Sequence, residues 1–205
     1  MPYKQFSKYK NKNVRTIAEI GQAHDGSLGL AHSYIDSLKN TGVTDIKFQI
    51  HIAEAESSNQ EKFRKKFSYQ DKTRFDYWKR IEFNKEQWFG IFNHCKKNKL
   101  NFVASPFSIE AVNLLKKLGC KTFKIASGEV TNYLMIDEII KQKKEIILSS
   151  GLSSFRELDK TVKRIKKKRL NLSILQCTSE YPTNFKSIGL NVIQEMKNRY
   201  KVPAG

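Results

Sequence analysis

Charged and hydroxyl side chains stand within or just after short apolar segments, where a protein core would exclude them. In the segment FKIASGE, Lys124 and Ser127 follow apolar residues, and Lys47 does the same in TDIKFQI. Burying an unpaired charge costs several kcal/mol or shifts the pKa of the group, so these side chains need partners. Two ammonium groups beside hydroxyl groups can bind a small anion that carries a carboxylate and a phosphate.

Other short apolar segments also end in polar or charged residues, and we add these residues to the candidates for the anion site. Glutamates beside such a site suit contact with a hydroxylated molecule or proton transfer. A lone serine is more often a capping or turn residue, and a lone lysine can reach solvent along its stem, so the residues are informative only together. The candidates are Glu19, Lys47, Gln49, Ser105, Lys124, Ser127, Glu129, Ser149, Thr178 and Ser179.

Short strand-like segments alternate with amphipathic helical segments along the whole chain. Such alternation predicts βα units and a parallel sheet. We expect Gly42 and Gly119 to end helices, and Ser108 or Ser153 to begin one. The predicted strands are 16–21, 44–50, 101–107, 121–128, 145–151 and 172–178; the predicted helices are 30–42, 86–99, 109–119, 133–142 and 154–168.

The position of the polar residues favours a closed barrel over a doubly wound sheet. In a (β/α)8 TIM barrel all strands end at one face, where the active site lies, whereas a doubly wound sheet gathers only the ends beside its switch point. We therefore predict an incomplete barrel of about six βα units, with residues 201–205 starting strand seven. Residues 1–15 are predicted to be an N-terminal extension and residues 16–205 a partial barrel domain. The long connection 51–84 is expected on the active-site face.

Composition excludes some classes of protein. No segment approaches the roughly 20 apolar residues of a membrane span, and the basic N-terminus lacks the apolar stretch of a secretory signal. Three widely spaced cysteines fit a reducing cytoplasm. The net charge of +18 would suit a nucleic-acid-binding module, but the densest basic run, 160–169, belongs to a helix with an apolar stripe and has no interleaved aromatic residues.

Six motifs, in order, resemble those of the sialic acid (N-acetylneuraminate) synthase family, which includes related nonulosonate and spore-coat polysaccharide synthases. The family resemblance implies a (β/α)8 barrel that condenses phosphoenolpyruvate with N-acetylmannosamine or a similar 2-acetamido sugar. The motifs are AEIGQAHDGSLG (18–29), IKFQIHIAEAES (46–57), SPFS (105–108), FKIASGEVTNY (123–133), IILSSG (146–151) and LQCTSEYPT (175–183).

The resemblance also implies roles for the candidate residues. Lys47, Ser105, Lys124, Ser127, Ser149 and Ser179 would hold phosphoenolpyruvate, with Gln49 as a further substrate-binding residue. Glu19, Glu129 and Tyr181 would serve the sugar and the transfer chemistry; Glu19, Lys124 and Glu129 are the expected catalytic residues. Ser105 stands where some relatives have threonine, and Ser179 where some have asparagine.

The resemblance implies a metal site and a further domain that we expect outside this chain. The resemblance implies a divalent metal, Mn²⁺ or Mg²⁺, whose ligands we expect beyond residue 205, together with a C-terminal antifreeze-like domain. The full-length protein would be a homodimer. Many relatives have an asparagine before His24, where this chain has Ala23, so we expect His24 to pack in the core or a loop rather than to bind metal.

Four alternatives remain open at this point. A Schiff-base aldolase would use Lys124 as its nucleophile. Another phosphoenolpyruvate-condensing barrel, for deoxyheptulosonate or ketodeoxyoctulosonate phosphates, would share the chemistry but not the six motifs. The chain could be an inactive fragment of a synthase. A basic nucleic-acid-binding module would leave the strand-end lysines and glutamates unexplained.

Overall fold

The computed structural model describes residues 14–63, 65–180 and 182–205. The chain divides into two compact units. The first contains the described residues up to Gln49 together with Ser57–Val103, and the second contains Ile50–Glu56 together with Ala104–Gly205. None of the helices in these described ranges is long and apolar enough to cross a membrane.

Six parallel strands form one sheet, and each strand lies beside its neighbour in sequence. This β1-to-β6 order is that of a (β/α)8 barrel, whereas a doubly wound sheet reverses its order at a switch point. The prediction of an incomplete barrel is therefore confirmed. The strands are β1 (Ile17–Gly21), β2 (Asp45–Ile50), β3 (Asn101–Pro106), β4 (Thr122–Ile125), β5 (Glu145–Ser149) and β6 (Leu172–Leu175).

Eight helices accompany the strands in the described residues. The described part of the connection 51–84 is more than a loop, because helices α2 (Ala53–Glu56) and α3 (Arg74–Ile81) lie within it. The side chains of Thr73 and Asp76 cap the first turn of α3. The helices are α1 (Leu28–Leu38), α2 (Ala53–Glu56), α3 (Arg74–Ile81), α4 (Lys85–Lys97), α5 (Ile109–Leu118), α6 (Tyr133–Lys141), α7 (Phe155–Lys166) and α8 (Asn191–Tyr200).

The start of a seventh strand is confirmed at the end of the chain. Ala204 pairs in parallel with Ile174 of β6. The amide of Ile174 donates to the carbonyl of Pro203, and the amide of Gly205 donates back to Ile174, both at 3.0 Å. Residues 203–205 thus extend the sheet beyond β6.

The first unit has an aromatic core. Phe48 of β2 packs on Phe102 and on the edge of Trp88, with ring centroids 5.8 and 5.9 Å apart. Phe83 meets the same tryptophan ring at 5.3 Å. Aromatic side chains bury a large apolar area, so this cluster fixes β2, which carries Lys47.

The second unit packs β4 and β5 against aliphatic helix faces. Phe123, Ile146 and Ile147 are fully buried or nearly so. The predicted apolar stripe of the basic helix α7 is confirmed at Leu158 and Val162 among others, while its lysines face solvent. Most of the positive charge of this run is therefore on the solvated face of a helix.

Some local predictions are wrong and two are confirmed. Strand β4 ends at Ile125, because residues Ser127–Glu129 form a 3-10 turn, and β6 ends at Leu175 rather than at residue 178. Helix α1 ends before Gly42, at Leu38, and α7 is capped by Ser154 rather than Ser153. Ser108 caps α5, and Gly119 ends it in the left-handed conformation, as predicted.

Candidate active site

Lys47 is a buried ammonium group in the first unit. Its side chain is 1% exposed, and its Nζ donates to Oε1 of Glu19 at 2.9 Å. The pairing of β1 with β2 places Glu19 directly opposite Lys47. The Glu19 carboxylate is half exposed, at 48%. Lys47 therefore has a counter-charge within the first unit, as a buried ammonium group needs.

Gln49 lies in a chain of side-chain hydrogen bonds in the same unit. Nε2 of Gln22 donates to Oε1 of Gln49 at 2.9 Å, and the Tyr77 hydroxyl donates to Oε1 of Gln22 at 3.0 Å. Burial raises the pKa of Tyr77, so its hydroxyl stays protonated and remains a donor. These hydrogen bonds orient the side-chain amide of Gln49, which lies two residues after Lys47.

His24 packs as the sequence predicted. The residue is 2% exposed, and its ring stacks on Phe83 with the centroids 4.5 Å apart. Its Nδ1 accepts from the amide of Gly26 at 3.1 Å. These contacts fix the turn that follows β1.

In the second unit, Ser105 and Ser149 are buried at the C-terminal ends of β3 and β5. Both residues are 0% exposed, and neither hydroxyl has a hydrogen-bond partner among the residues that the structure describes. Native proteins leave few buried polar atoms unpaired, and those that remain call for an explanation. Two such hydroxyls at strand ends are candidates for contact with a ligand.

Ser127 and Ser179 approach the backbone at Gly151. A Cβ atom added to Gly151 would lie 2.7 Å from Oγ of Ser127, 3.0 Å from Oγ of Ser179 and 3.1 Å from the carbonyl of Cys177. Only glycine leaves room for both hydroxyls here. The structure thus brings together two of the serines that the sequence singled out, from the segments after β4 and β6.

Lys124 and Glu129 lie on either side of the Ser127 turn. Lys124 is half-buried on β4, in register with Ile147 of β5. Glu129 ends the 3-10 turn, and its Oε2 accepts from Nδ2 of Asn132 at 2.8 Å. Asn132 in turn caps α6, so the carboxylate of Glu129 is held at the start of that helix.

Two further aspects of the predicted site stay open. Tyr181 lies outside the described residues. In the described ranges, no group of three or more His, Cys, Asp or Glu side chains is arranged to hold a metal ion. The contact between Lys47 and Glu19 lies in the first unit, whereas Ser127 and Ser179 come together in the second. A single site that contains all the candidate residues stays a prediction.

Sequence reasoning missed the pair His51–Glu56, which follows β2. Nδ1 of His51 lies 2.7 Å from Oε1 of Glu56, and the exposed fractions of the two side chains are 5% and 9%. The His51 ring stacks on Phe107, with centroids 4.1 Å apart. A buried ionisable pair directly after a strand that carries candidate residues is a functional signal. Both residues lie in the IKFQIHIAEAES motif, which was the signal available.

The sheet order, with charged and hydroxyl side chains at the strand ends, is typical of a barrel enzyme. The chain belongs to the NeuB family, whose model matches residues 34–205.

Proteins similar to this chain include synthases of several nonulosonic acids. The chain is 34% identical over 95% of its length to the N,N'-diacetyllegionaminic acid synthase of Campylobacter jejuni, covering 60% of that protein. It is 31% identical, again over 95% of its length, to a pseudaminic acid synthase of the same species, covering 58% of it. The chain thus spans about three fifths of the length of these relatives.

A solved relative has the same fold. The N-acetylneuraminic acid synthetase of Leptospira borgpetersenii matches 94% of this chain at 30% identity with a TM-score of 0.81, and the match covers 64% of that protein. The family resemblance drawn from the six sequence motifs is confirmed.

Proposed function

We propose that the protein containing this chain condenses phosphoenolpyruvate with a 2-acetamido sugar, N-acetylmannosamine or a relative, to give a nonulosonic acid and phosphate. The observation that carries this proposal is that the buried hydroxyls of Ser105 and Ser149, at strand ends, have no hydrogen-bond partner in the part of the chain that the structure describes. An oxygen-rich anion would satisfy both hydroxyls, which accounts for their burial without a protein partner.

In the proposed reaction, carbon 3 of phosphoenolpyruvate attacks the aldehyde carbon of the open-chain sugar and forms the new C–C bond. Water adds at carbon 2, and phosphate leaves from the resulting tetrahedral intermediate. The substrate is a polyanion, so catalysis depends on positioned cations and donors whose field acts on the developing charge.

The chain's own residues would share this work. Ser105, Ser127, Ser149 and Ser179 would donate to the anion, with Lys124 as a point charge. Lys47, oriented by Glu19, would supply the second ammonium group, and Gln49 a polar contact. We assign Glu19, Glu129 and Tyr181 to the sugar, with a carboxylate guiding water or accepting a proton.

The proposed reaction uses a divalent metal, Mn²⁺ or Mg²⁺, as a Lewis acid on the aldehyde. We propose that its ligands would come from the part of the relatives that this chain does not cover. We also propose that the longer protein is a homodimer. Three free cysteines support a reducing cytoplasm as the site of the reaction.

The direct test is phosphate release by the full-length protein, supplied with Mn²⁺, phosphoenolpyruvate and a panel of 2-acetamido sugars. We expect release only when both substrates are present and a strong decrease in the Ser149→Ala variant. The neighbouring Ser150→Ala variant is the matched control, because the Ser150 hydroxyl already bonds to Oε1 of Gln176 at 3.0 Å. Failure to release phosphate with any sugar would contradict the proposal.

Reduction with borohydride distinguishes the proposed synthase from the Schiff-base aldolase. Reduction in the presence of substrate would trap a covalent adduct on Lys124 if that residue is a nucleophile. We expect no adduct, because the proposal makes Lys124 an anion-binding cation. Binding of nucleic acid with a steep salt dependence would instead favour the basic-module alternative.

A further inference from the structure

Two of the chain's four histidines face each other across a helix pair in the first unit. His32 belongs to α1 and His94 to α4, and their Nδ1 atoms are 2.7 Å apart. The ring centroids are 4.8 Å apart. Both side chains are half-buried. Neither residue belongs to a strand end or to the proposed synthase chemistry.

Asp36 determines which nitrogen of His94 carries the proton. Its Oδ1 lies 2.9 Å from Nε2 of His94, so the hydrogen-bond network assigns the proton of a neutral His94 to Nε2. The Nδ1 of His94 is then a lone pair directed at His32. With that assignment, a neutral His32 that carries its proton on Nδ1 would donate to this lone pair.

We propose that His32 and His94 form a binding site for a late first-row divalent cation such as Zn²⁺, Ni²⁺ or Cu²⁺. When the proton of neutral His32 moves to its Nε2, two imidazole lone pairs point at the same position between α1 and α4. The cation takes that position, and water completes its coordination. No net proton is released when both rings start neutral.

The geometry requires only a small adjustment. Two nitrogens at Zn–N distances of about 2.0–2.1 Å in tetrahedral geometry lie roughly 3.3 Å apart. The present separation of 2.7 Å must therefore open by about 0.6 Å, which rotation of partly exposed side chains can provide. The packing of α1 on α4 already holds the rings together, so little conformational entropy is lost on binding.

Asp36 acts as an outer partner rather than a ligand. A carboxylate that accepts from the far nitrogen of a ligating histidine fixes the ring and raises its basicity. The site thus has two protein ligands, in accord with the finding that the described residues contain no group of three. Imidazole ligands favour Cu²⁺, Ni²⁺ and Zn²⁺ over Mg²⁺ and Mn²⁺, so this site differs in selectivity from the catalytic metal proposed above.

The test is direct metal binding by the chain, without any activity assay. Zn²⁺ is titrated by calorimetry and Cu²⁺ by visible absorption in a Cys177→Ser background, because Cys177 is the cysteine that is not buried. We expect one equivalent to bind, and no saturable binding in the His32→Gln/His94→Gln double variant. Mg²⁺ and Mn²⁺ should give no signal from this site.

Asp36→Asn tests the outer role of the carboxylate. We expect it to weaken Zn²⁺ binding by about tenfold. Asp137→Asn is the matched control, since Asp137 pairs with Arg164 elsewhere in the chain, and should leave the affinity unchanged. Unchanged binding in the double variant would overturn the proposal. So would a folded parent chain that shows no saturable binding of Zn²⁺ or Cu²⁺.

Discussion

Replacing Ser149 by alanine is expected to stabilise the protein, although the residue is completely buried. The Ser149 hydroxyl has no hydrogen-bond partner among the described residues. A buried polar group without a partner costs about 1–3 kcal/mol, and alanine removes that cost. The lost packing of a single oxygen atom offsets about 0.5–1 kcal/mol of the gain, by analogy with small core truncations.

The expected net gain is therefore about 1 kcal/mol in the free energy of unfolding. For a domain of this size, such a change raises Tm by about 2–4 °C. Ser150→Ala should do the opposite. The Ser150 hydroxyl donates to Oε1 of Gln176 and accepts from the amide of Cys177 at 3.4 Å, and its loss removes two part-buried hydrogen bonds. We expect a decrease of about 0.5–1.5 kcal/mol.

Thermal and urea unfolding of the two variants and the parent chain provide the measurement. Because the residues are adjacent serines of similar burial, differences in helix or strand propensity and in side-chain size largely cancel. A Ser149→Ala variant as destabilised as Ser150→Ala would refute the reasoning, since it would mean that the Ser149 hydroxyl is already well paired. If Ser149→Ala gains stability while losing phosphoenolpyruvate binding in the full-length protein, the site trades stability for function.

Three other outcomes follow from single features of the structure. Gly26→Ala should lower the free energy of unfolding by about 2–5 kcal/mol, because φ is +80° and the new Cβ would lie 2.6 Å from the carbonyl oxygen of Arg80. Gly119→Ala is the control: φ is +77° there, but the new Cβ would meet open space. In the same denaturation assay this variant should lower the free energy of unfolding by only about 1–2 kcal/mol. A thiol reagent should modify one cysteine, Cys177, in the native chain and all three cysteines in denaturant. The reason is that burial raises the pKa of Cys95 and of Cys120 to about 12, so these thiols stay protonated and unreactive. Rapid modification of two or more thiols in the native chain would contradict this prediction. The Arg80 guanidinium lowers the pKa of the Asp71 carboxyl by hydrogen bonding to it. The stability that this pair contributes is therefore present above about pH 4 and is lost as the pH falls through the lowered pKa. Asp71→Asn should flatten the dependence of stability on pH in that acid range, and an unchanged curve would exclude this role.

Much of the fold could be predicted because its signals are local. The caps at Ser108 and Gly119 and the apolar stripe of α7 depend on residues three or four positions apart, which sequence spacing records directly. The errors are local as well. The segment after Ile125 has apolar residues typical of a strand, but it turns at Ser127, and nothing in its composition marks where strand pairing stops.

The sequence by itself determined the βα alternation, the family motifs and the candidate residues, because these depend on residue type and on periodicity along the chain. Only the tertiary structure decided which of these side chains have partners. Ser149 and Ser150 are neighbours with the same side chain, yet among the described residues only the Ser150 hydroxyl has a partner, since Ser149 is the last residue of β5 whereas Ser150 lies just past the strand, beside Gln176. The contact between His32 and His94 joins residues 62 positions apart. Such pairings depend on the packing of whole elements, and residue spacing does not contain that information.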